Sequence, residues 1–353
     1  MSHTVWLVDL EAVPTRYTGQ WKTYLPKQIG EFGHQVEVIE GRTDIPEATT
    51  PGAFLNFGGT NIYKANQVER MGELFTQGDV KSGDTFLFLD AWHPGVINLK
   101  YMSELLGIPV KIVGLWHAGS YDPNDFLGRI IGDADWVRYT EKAMFNAYDV
   151  NCFATDFHIE MFYENLWHSE ERMANDLMNG KTVRVGWPME YLKDELAPYR
   201  KCTKSGTILF PHRIAPEKQV EIFKDLAQHL PEYKFVVCQE QELTKAEYHK
   251  LLGEADMVFS ANLQETLGIS CYEGVLTCAE PLVPDRLSYT EMYPAQYRYP
   301  SEWTADWDSY LAHREDLIDR IQDVMTKNRH DVDDAEHKLS EEFFSGLELY
   351  RQL

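Results

Sequence analysis

The sequence lacks the features that mark a membrane protein, a secreted scaffold or a metal site. No run of about 18 apolar residues occurs, so no transmembrane helix is predicted. No basic-then-apolar leader opens the chain, which sets the expectation of a cytoplasmic protein and argues against a periplasmic-type binding protein. Cysteine is scarce. Cys152, Cys202, Cys238, Cys271 and Cys278 are odd in number, scattered, and form no CxxC pair. They indicate neither a disulfide framework nor a zinc site. Positive charge is also in deficit, with 33 Lys and Arg against 56 Asp and Glu and a formal net charge of −23. A dedicated DNA binder usually carries a basic footprint, because phosphate contacts dominate its affinity. The plain reading of the acidic surplus is solubility, as in the surface-like run Asp331–Glu336 with Glu341 and Glu342. A local basic groove stays open. The glycine motifs of two large enzyme classes are missing: Asp9–Gly19 holds one glycine where a dinucleotide fold wants GxGxxG, and no GxxxxGK[ST] occurs.

What is present is a regular alternation of strands and helices. At 353 residues two domains are expected, each large enough for its own core. Strands are predicted at Val5–Asp9, Gln35–Ile39, Ala53–Phe57, Thr85–Leu89, Val110–Leu115, Val150–Ala154 and Thr182–Val185. Helices are predicted at Gly19–Phe32, Tyr63–Phe75, Leu99–Leu106 and Asp156–Tyr163. Gly186–Gly206, with Pro188, Pro198 and Lys201-Cys-Thr-Lys204, reads as a linker. A second series follows, with strands at Thr207–Phe210, Lys234–Cys238, Met257–Ser260 and Glu280–Val283. Its helices fall at Glu217–Leu230 and Lys245–Gly253, and the tail from Trp307 to Leu353 reads as helical. The expected boundaries are 1–186 for the first domain, 187–205 for the linker, 206–330 for the second domain and 331–353 for a C-terminal helix, with packing back on the first domain as one option. Such βα repetition predicts doubly wound, mostly parallel sheets that take ligands at the carboxyl ends of their strands.

Two motifs carry chemistry. Glu265-Thr-Leu-Gly-Ile-Ser-Cys-Tyr-Glu273 places two carboxylates eight positions apart, with Gly268 between them and an apolar helix pattern running on through Leu276. A helix starting near Thr266 would leave unpaired N–H groups between the carboxylates, and eight residues rise roughly 12 Å. That span resembles a sugar, a diphosphate and a ribose in line, with hydroxyls at each end for a carboxylate to accept. The second motif, Pro211-His-Arg-Ile-Ala-Pro-Glu-Lys218, follows a predicted strand directly. A guanidinium and an ammonium at such a turn can neutralise charge on a departing diphosphate.

Together, Arg-x4-Lys and Glu-x7-Glu resemble the GT-B retaining glycosyltransferases of the family 4 type. The likeness extends over nearly the whole chain through the first strand Val5–Asp9, Gly19, the Trp21–Phe32 helix, Gly33-His34 and Leu115-Trp-His117. The family's usual double glycine is Thr18-Gly19 here. The resemblance implies an α/β GT-B fold, two Rossmann-like doubly wound domains facing a central cleft. It implies that Arg213 and Lys218 grip the donor diphosphate, Glu265 lies beside the donor sugar, and Glu273 holds the ribose. Leu267, Gly268 and Ile269 would cap the phosphates by their backbone, Gly19 would lie on the donor side, and His117 would reach the reacting centre. It further implies a retaining, metal-independent transferase with no cofactor. The donor substrate would be a nucleoside-diphosphate sugar, UDP-linked by preference and GDP-linked as the alternative.

The acceptor side is read from the first domain's loops. Glu11, Arg16, Tyr17 and His93 are candidates there. A carboxylate in Asp9-Leu-Glu11 could take a hydroxyl proton or simply cap a helix, and His93 could line the acceptor side or serve the core. Trp92, Trp116 and Trp136 could stack a base or sugar, with aromatic core as the plainer reading. Asp122-Pro-Asn-Asp125 reads as a turn and N-cap. The run Pro284–Tyr289 with Glu291 and Tyr293–Tyr297 resembles the tRNA-queuosine mannosyltransferase group. Val8–Glu11 and Pro14–Lys22 are similar to glycosyltransferases of tailed bacteriophages. Both likenesses imply a hydroxyl on a modified base as acceptor, in phage DNA first (a hydroxymethyl or hydroxy pyrimidine) and in tRNA second. A glycan or small molecule, and an inactive sugar-nucleotide-binding module, remain as alternatives. A membrane partner is not expected, and the oligomeric state is left open.

Overall fold

The computed structural model describes residues 3–13, 16–45, 56–132, 134–200, 203–326 and 332–353. The chain divides into two compact units. The first comprises Met1–Ala154, Ile159–Pro188 and Gly346–Leu353, and the second comprises Thr155–His158 and Met189–Ser345.

The first unit is built on six strands: β1 (Thr4–Val8), β2 (Gln35–Ile39), β3 (Thr85–Phe88), β4 (Lys111–Leu115), β5 (Val150–Phe153) and β6 (Thr182–Arg184). They pair in parallel in the order β2-β1-β3-β4-β5-β6. β1, β3, β4 and β5 are almost wholly buried, as helices on both faces of a parallel sheet require. Edge strand β2 is mostly exposed. The helix Phe57–Gln77 begins where Asn56 accepts the Gly59 N–H at 2.8 Å and ends at left-handed Gly78. The predicted strand at Ala53–Phe57 lies mostly outside the described residues. Its last residue, Phe57, opens this helix instead. Helices Phe126–Ile131, Asp135–Ala147 and Glu170–Met178 add to the predicted set.

The second unit has five strands: β7 (Thr207–Phe210), β8 (Lys234–Val237), β9 (Ala255–Phe259), β10 (Glu280–Pro284) and β11 (Arg298–Tyr299). All pair in parallel, in the order β11-β10-β9-β7-β8. Both sheets therefore wind alike: the second strand lies outside the first, and the third on the first strand's other side. The order reverses between β1 and β3, and again between β7 and β9. Each unit buries its own core, the first around Trp6, Phe86, Phe88 and Trp116, the second around Ile208, Phe210, Phe259 and Tyr310.

Two further expectations change. The stretch read as linker is folded: Tyr191–Leu196 is a helix whose Tyr191, Leu192 and Leu196 are buried. The tail is a helix over Trp307–Thr326, then short pieces at Asp333–Lys338, Leu339–Phe343 and Leu347–Tyr350. Among the described residues no helix is long and apolar enough to cross a membrane. Cys152, Cys238, Cys271 and Cys278 are free, and Cys202 lies outside the described residues.

Candidate active site

In an open α/β sheet the carboxyl ends of the strands flanking the reversal of order splay apart and admit a ligand. In the second unit those strands are β7 and β9. The turn carrying Arg213 and Lys218 leaves β7, and the loop carrying Glu265 leaves β9. The two connections are locked together: the Leu263 N–H donates to the Glu217 carbonyl at 2.8 Å, and Lys218 Nζ donates to the Gln264 carbonyl and to Glu265 Oε2, the latter at 3.3 Å. The Lys218 side chain is 7% exposed and that of Glu265 20%. Arg213 pairs with the buried carboxylate of Glu217 while keeping about a third of its side chain in solvent.

The helix after the Glu265 loop starts later than the sequence pattern predicted. It spans Ile269–Leu276, with Gly268 as its N-cap at φ 74°. Thr266 and Leu267 therefore belong to the loop, and Glu265 and Glu273 do not lie on one helix. Glycine is needed at 268 twice over. Its φ lies in the left-handed region, and an added Cβ would stand 2.8 Å from Cε1 of Tyr289. The later start aims the loop's own N–H groups at Glu265, whose Oε1 accepts from Thr266 and Leu267. Burial pushes the Glu265 carboxyl up, but the Lys218 charge and the Gly268 and Leu267 N–H groups outweigh it, so the group is held below the usual carboxylate range. Helix geometry leaves the N–H groups of Ile269 and Ser270 without intrahelical acceptors, in the region where negative charge is favoured.

Glu273, the fifth residue of that helix, is half-buried and accepts a hydrogen bond from the Tyr248 hydroxyl at 2.8 Å. Burial raises its carboxyl to about 7, against the pull of Tyr248 and Lys245. Its ionised and neutral forms are close in free energy near neutral pH.

Several supporting residues were not singled out in the sequence. His212 is buried, its Nε2 on the Phe259 carbonyl at 3.2 Å and its Nδ1 against Ser270 Oγ at 3.3 Å. Burial and the nearby Lys218 charge push it down to about 3, so it is neutral; its Nε2–H donates and its Nδ1 accepts. Arg286 braces the β9 loop, donating to the carbonyls of Ala261, Asn262, Ser301 and Thr304 at 2.7 to 3.1 Å. Tyr289 accepts from Asn262 Nδ2 at 3.0 Å and meets Ser260 Oγ at 3.0 Å. His212 and Arg286 sit inside motifs visible in the sequence, whereas Tyr248 carries no local signal.

In the first unit the loops after β1, β3 and β4 gather a different set. His117 follows β4. Its Nε2 lies on the Leu89 carbonyl, so Nε2 carries the proton and Nδ1 accepts from the Tyr17 hydroxyl at 2.8 Å. The Tyr17 and Trp187 rings enclose the imidazole, with centroids 6.1 and 4.7 Å away. Burial holds His117 below the ordinary histidine range despite the Asp90 charge. Asp90 itself pairs with Lys64 at 2.7 Å. Tyr17 and His117 are thus brought together, though Tyr17 begins the helix Tyr17–Glu31 rather than lying in a loop. Gly19 lies in that helix's first turn rather than in a loop. Arg16 is exposed at its N-cap, and Glu11 is partly exposed in the loop after β1.

His93 is committed elsewhere. It is 2% exposed, with Nε2 on Gln67 Oε1 at 3.0 Å and Nδ1 accepting the Gly95 N–H at 3.0 Å. With both nitrogens engaged it offers nothing to an acceptor and belongs to the core. Trp116 is likewise core, Trp92 donates to Glu141 at 3.1 Å, and Trp136 is 59% exposed. The Asp125 side chain does cap Phe126–Ile131. Among the described residues no group of three or more His, Cys, Asp or Glu could hold a metal ion.

No family model matches the chain, and no curated protein sequence matches it. Solved structures do. The catalytic domain of starch synthase IV from Arabidopsis thaliana, bound to ADP and acarbose, superposes with a TM-score of 0.61 at 12% identity, covering 99% of this chain and 97% of that one. Sucrose-phosphate synthase from Thermosynechococcus elongatus gives the same TM-score, identity and coverage. WaaG, a glycosyltransferase involved in lipopolysaccharide biosynthesis, gives 0.58 at 12% identity, with 99% and 98% covered. The fold is therefore the two-sheet α/β arrangement of GT-B glycosyltransferases.

Proposed function

We propose that the protein is a retaining, metal-independent glycosyltransferase that moves a sugar from a nucleoside-diphosphate donor, UDP-linked by preference, to a hydroxyl on a modified pyrimidine of phage DNA. The observation that carries the donor half is the reversal point of the second sheet. There Arg213 and Lys218 from β7, and Glu265 with the Gly268–Ile269 helix start from β9, converge on one strand-end surface. A diphosphate leaving group develops negative charge as its bond to the sugar breaks. A guanidinium, an ammonium and two helix-start N–H groups would stabilise it without a metal, and their fixed placement is worth several kcal/mol in the transition state. Glu265, kept ionised by Lys218, would accept from the sugar hydroxyls, and Glu273 from the ribose. The fold it shares with starch synthase, sucrose-phosphate synthase and WaaG supports this reading.

The acceptor half belongs to the first unit, 1–186 in the sequence reading, with Glu11 in the loop after β1, Arg16 and Tyr17 at the start of the helix Tyr17–Glu31, and His117 after β4 reaching the reacting centre. A duplex acceptor would have to turn its base out of the stack. The test is to incubate the protein with a panel of nucleotide sugars and hydroxymethylcytosine DNA, digest the DNA and weigh the nucleosides. A hexose or pentose increment on the base is the expected result. Transfer to tRNA or to a glycan instead would retire the DNA acceptor, and no release of nucleoside diphosphate from any donor would retire the enzyme.

A further inference from the structure

The hydrogen bond from Tyr248 to Glu273 joins two helices that have no local reason to exchange it. Helix Lys245–Glu254 is started by a complete capping box, Thr244 with Glu247, and buries His249, Leu252 and Gly253. Helix Ile269–Leu276 buries Cys271, Tyr272, Gly274, Val275 and Leu276. Each packs on its own apolar residues, and neither uses Tyr248 or Glu273 to cap a terminus. The phenol is nonetheless set 2.8 Å from Glu273 Oε2.

The other groups around this carboxylate do not take that place. Lys245, on the helix of Tyr248, is drawn to Glu195 of the helix Tyr191–Leu196 at 2.8 Å. Cys238, in the turn after β8, and Cys271, on Glu273's own helix, are both pushed up to about 12 by burial and remain thiols. Lys245 lowers the Glu273 carboxyl through its charge and Glu195 raises it.

Resting on the reading of Glu273 as the carboxylate that takes the donor's ribose hydroxyls, the geometry points to Tyr248 as a positioning residue that holds Glu273 ionised and fixes its rotation for the ribose. An ionised carboxylate only accepts hydrogen bonds, which suits two hydroxyl donors, whereas the protonated form must itself donate one. The Tyr248 O–H occupies one lone pair of Oε2 and leaves Oε1 and the remaining Oε2 lone pair for the ribose. It also favours the charged form at a site whose burial disfavours charge.

The test compares wild type, Tyr248→Phe and Glu273→Ala in calorimetric titrations with UDP and with 2′-deoxy-UDP between pH 5.5 and 9. GDP and 2′-deoxy-GDP are used if the protein prefers guanosine. The ratio of the two affinities cancels ionisation of the phosphates and isolates the ribose contact. In wild type the preference for the ribose should fade as pH drops through the neutral range. In Tyr248→Phe the midpoint of that fade should move to higher pH, and the preference at pH 7 should shrink by roughly 10-fold, the loss expected for one hydrogen bond to a charged group. The donor KM should rise with it, while kcat at saturating donor stays within about twofold, the pattern of a binding contact made equally in ground and transition states. A Tyr248→Phe protein with the wild-type ratio and midpoint overturns the proposal, provided Glu273→Ala has lost the ribose preference. A wild-type ratio that is flat across this pH range overturns it without any variant. Wild-type binding of nucleoside diphosphate that Glu273→Ala leaves intact overturns the underlying reading of Glu273 instead.

Discussion

Lys218 faces Glu265 across the reversal point of the second sheet, Nζ to Oε2 at 3.3 Å, while the same ammonium donates to the Gln264 carbonyl. The pair joins the β7 turn to the β9 loop, so one interaction both holds the strand ends in register and keeps a cation beside a carboxylate. Removing one partner leaves the other charged and largely buried, which costs about 3 kcal/mol or more. Lys218→Ala should therefore lose stability and, on the proposed mechanism, turnover by a few kcal/mol of transition-state stabilisation. Arg213→Ala should lose turnover in the same way, and because it takes a cation from the buried Glu217 carboxylate it should lose stability as well. Urea unfolding beside steady-state kinetics separates the two, and near-normal turnover in both variants would sink the assignment.

Gly268→Ala tests the helix start. A non-glycine residue in the left-handed region costs about 1–3 kcal/mol. Here the added Cβ also meets the Tyr289 ring at 2.8 Å, and that ring is held by Ser260 and Asn262. The variant should lose stability and bind nucleoside diphosphate more weakly, because relief of the clash shifts Tyr289 or the Ile269 and Ser270 N–H groups. Unchanged binding by calorimetry would mean that this helix start does not hold the phosphates.

Where the sequence was legible, and where it was not, has a physical basis. Thr207–Phe210 is a short, wholly buried stretch of a β-branched residue followed by three apolar ones, and a buried parallel strand is one of the few structures that needs it. That run fixes where Arg213 and Lys218 emerge. The start of the helix before Glu273 was misread because periodicity reports which residues are apolar, not their dihedrals. Leu267 and Ile269 look helical on either side of a glycine whose φ of 74° ends the pattern. The helix Asp135–Ala147 was missed since Trp136 and Tyr139 stand on its outer face and blur the apolar stripe. His93 offered itself as a strand-end site residue. Gln67, on a helix elsewhere in the sequence, and the backbone of Gly95 claim both its nitrogens.

That histidine has a measurable consequence. Burial pushes His93 down to about 3, far below the value of about 6.5 in an unfolded chain. The folded state thus binds fewer protons between those limits. The stability His93 contributes is fully present above about pH 6.5 and is lost as pH falls toward 3, by as much as about 1.4 kcal/mol per pH unit. His212 acts in the same sense, and Asp9, raised by burial to about 6, in the opposite one. Comparing wild type with His93→Asn removes the shared terms. The difference in unfolding free energy should narrow as pH drops from 7 to 4.5. A constant difference would mean that His93 charges freely in the folded protein.

Glu273 has the opposite sign. Its carboxyl is raised to about 7, so the folded state holds its proton more tightly than the unfolded chain does. The contribution is fully present below the unfolded value near 4.5 and is lost as pH rises through about 7. Above that pH the protein carries a partly buried charge that destabilises its fold. Glu273→Gln keeps the acceptor for Tyr248 and removes the charge. At pH 8 it should unfold at higher urea concentration than wild type, with a gain of up to about 3 kcal/mol that shrinks at pH 5, where the wild-type carboxyl is protonated. The same variant should bind nucleoside diphosphate less tightly at pH 8, since an amide offers the ribose fewer acceptor lone pairs than a carboxylate. A stability gain joined to a binding loss is the mark of a charge kept for its ligand rather than for the fold. If Glu273→Gln is instead less stable than wild type at pH 8, the carboxylate serves the fold and its assignment to the ribose fails.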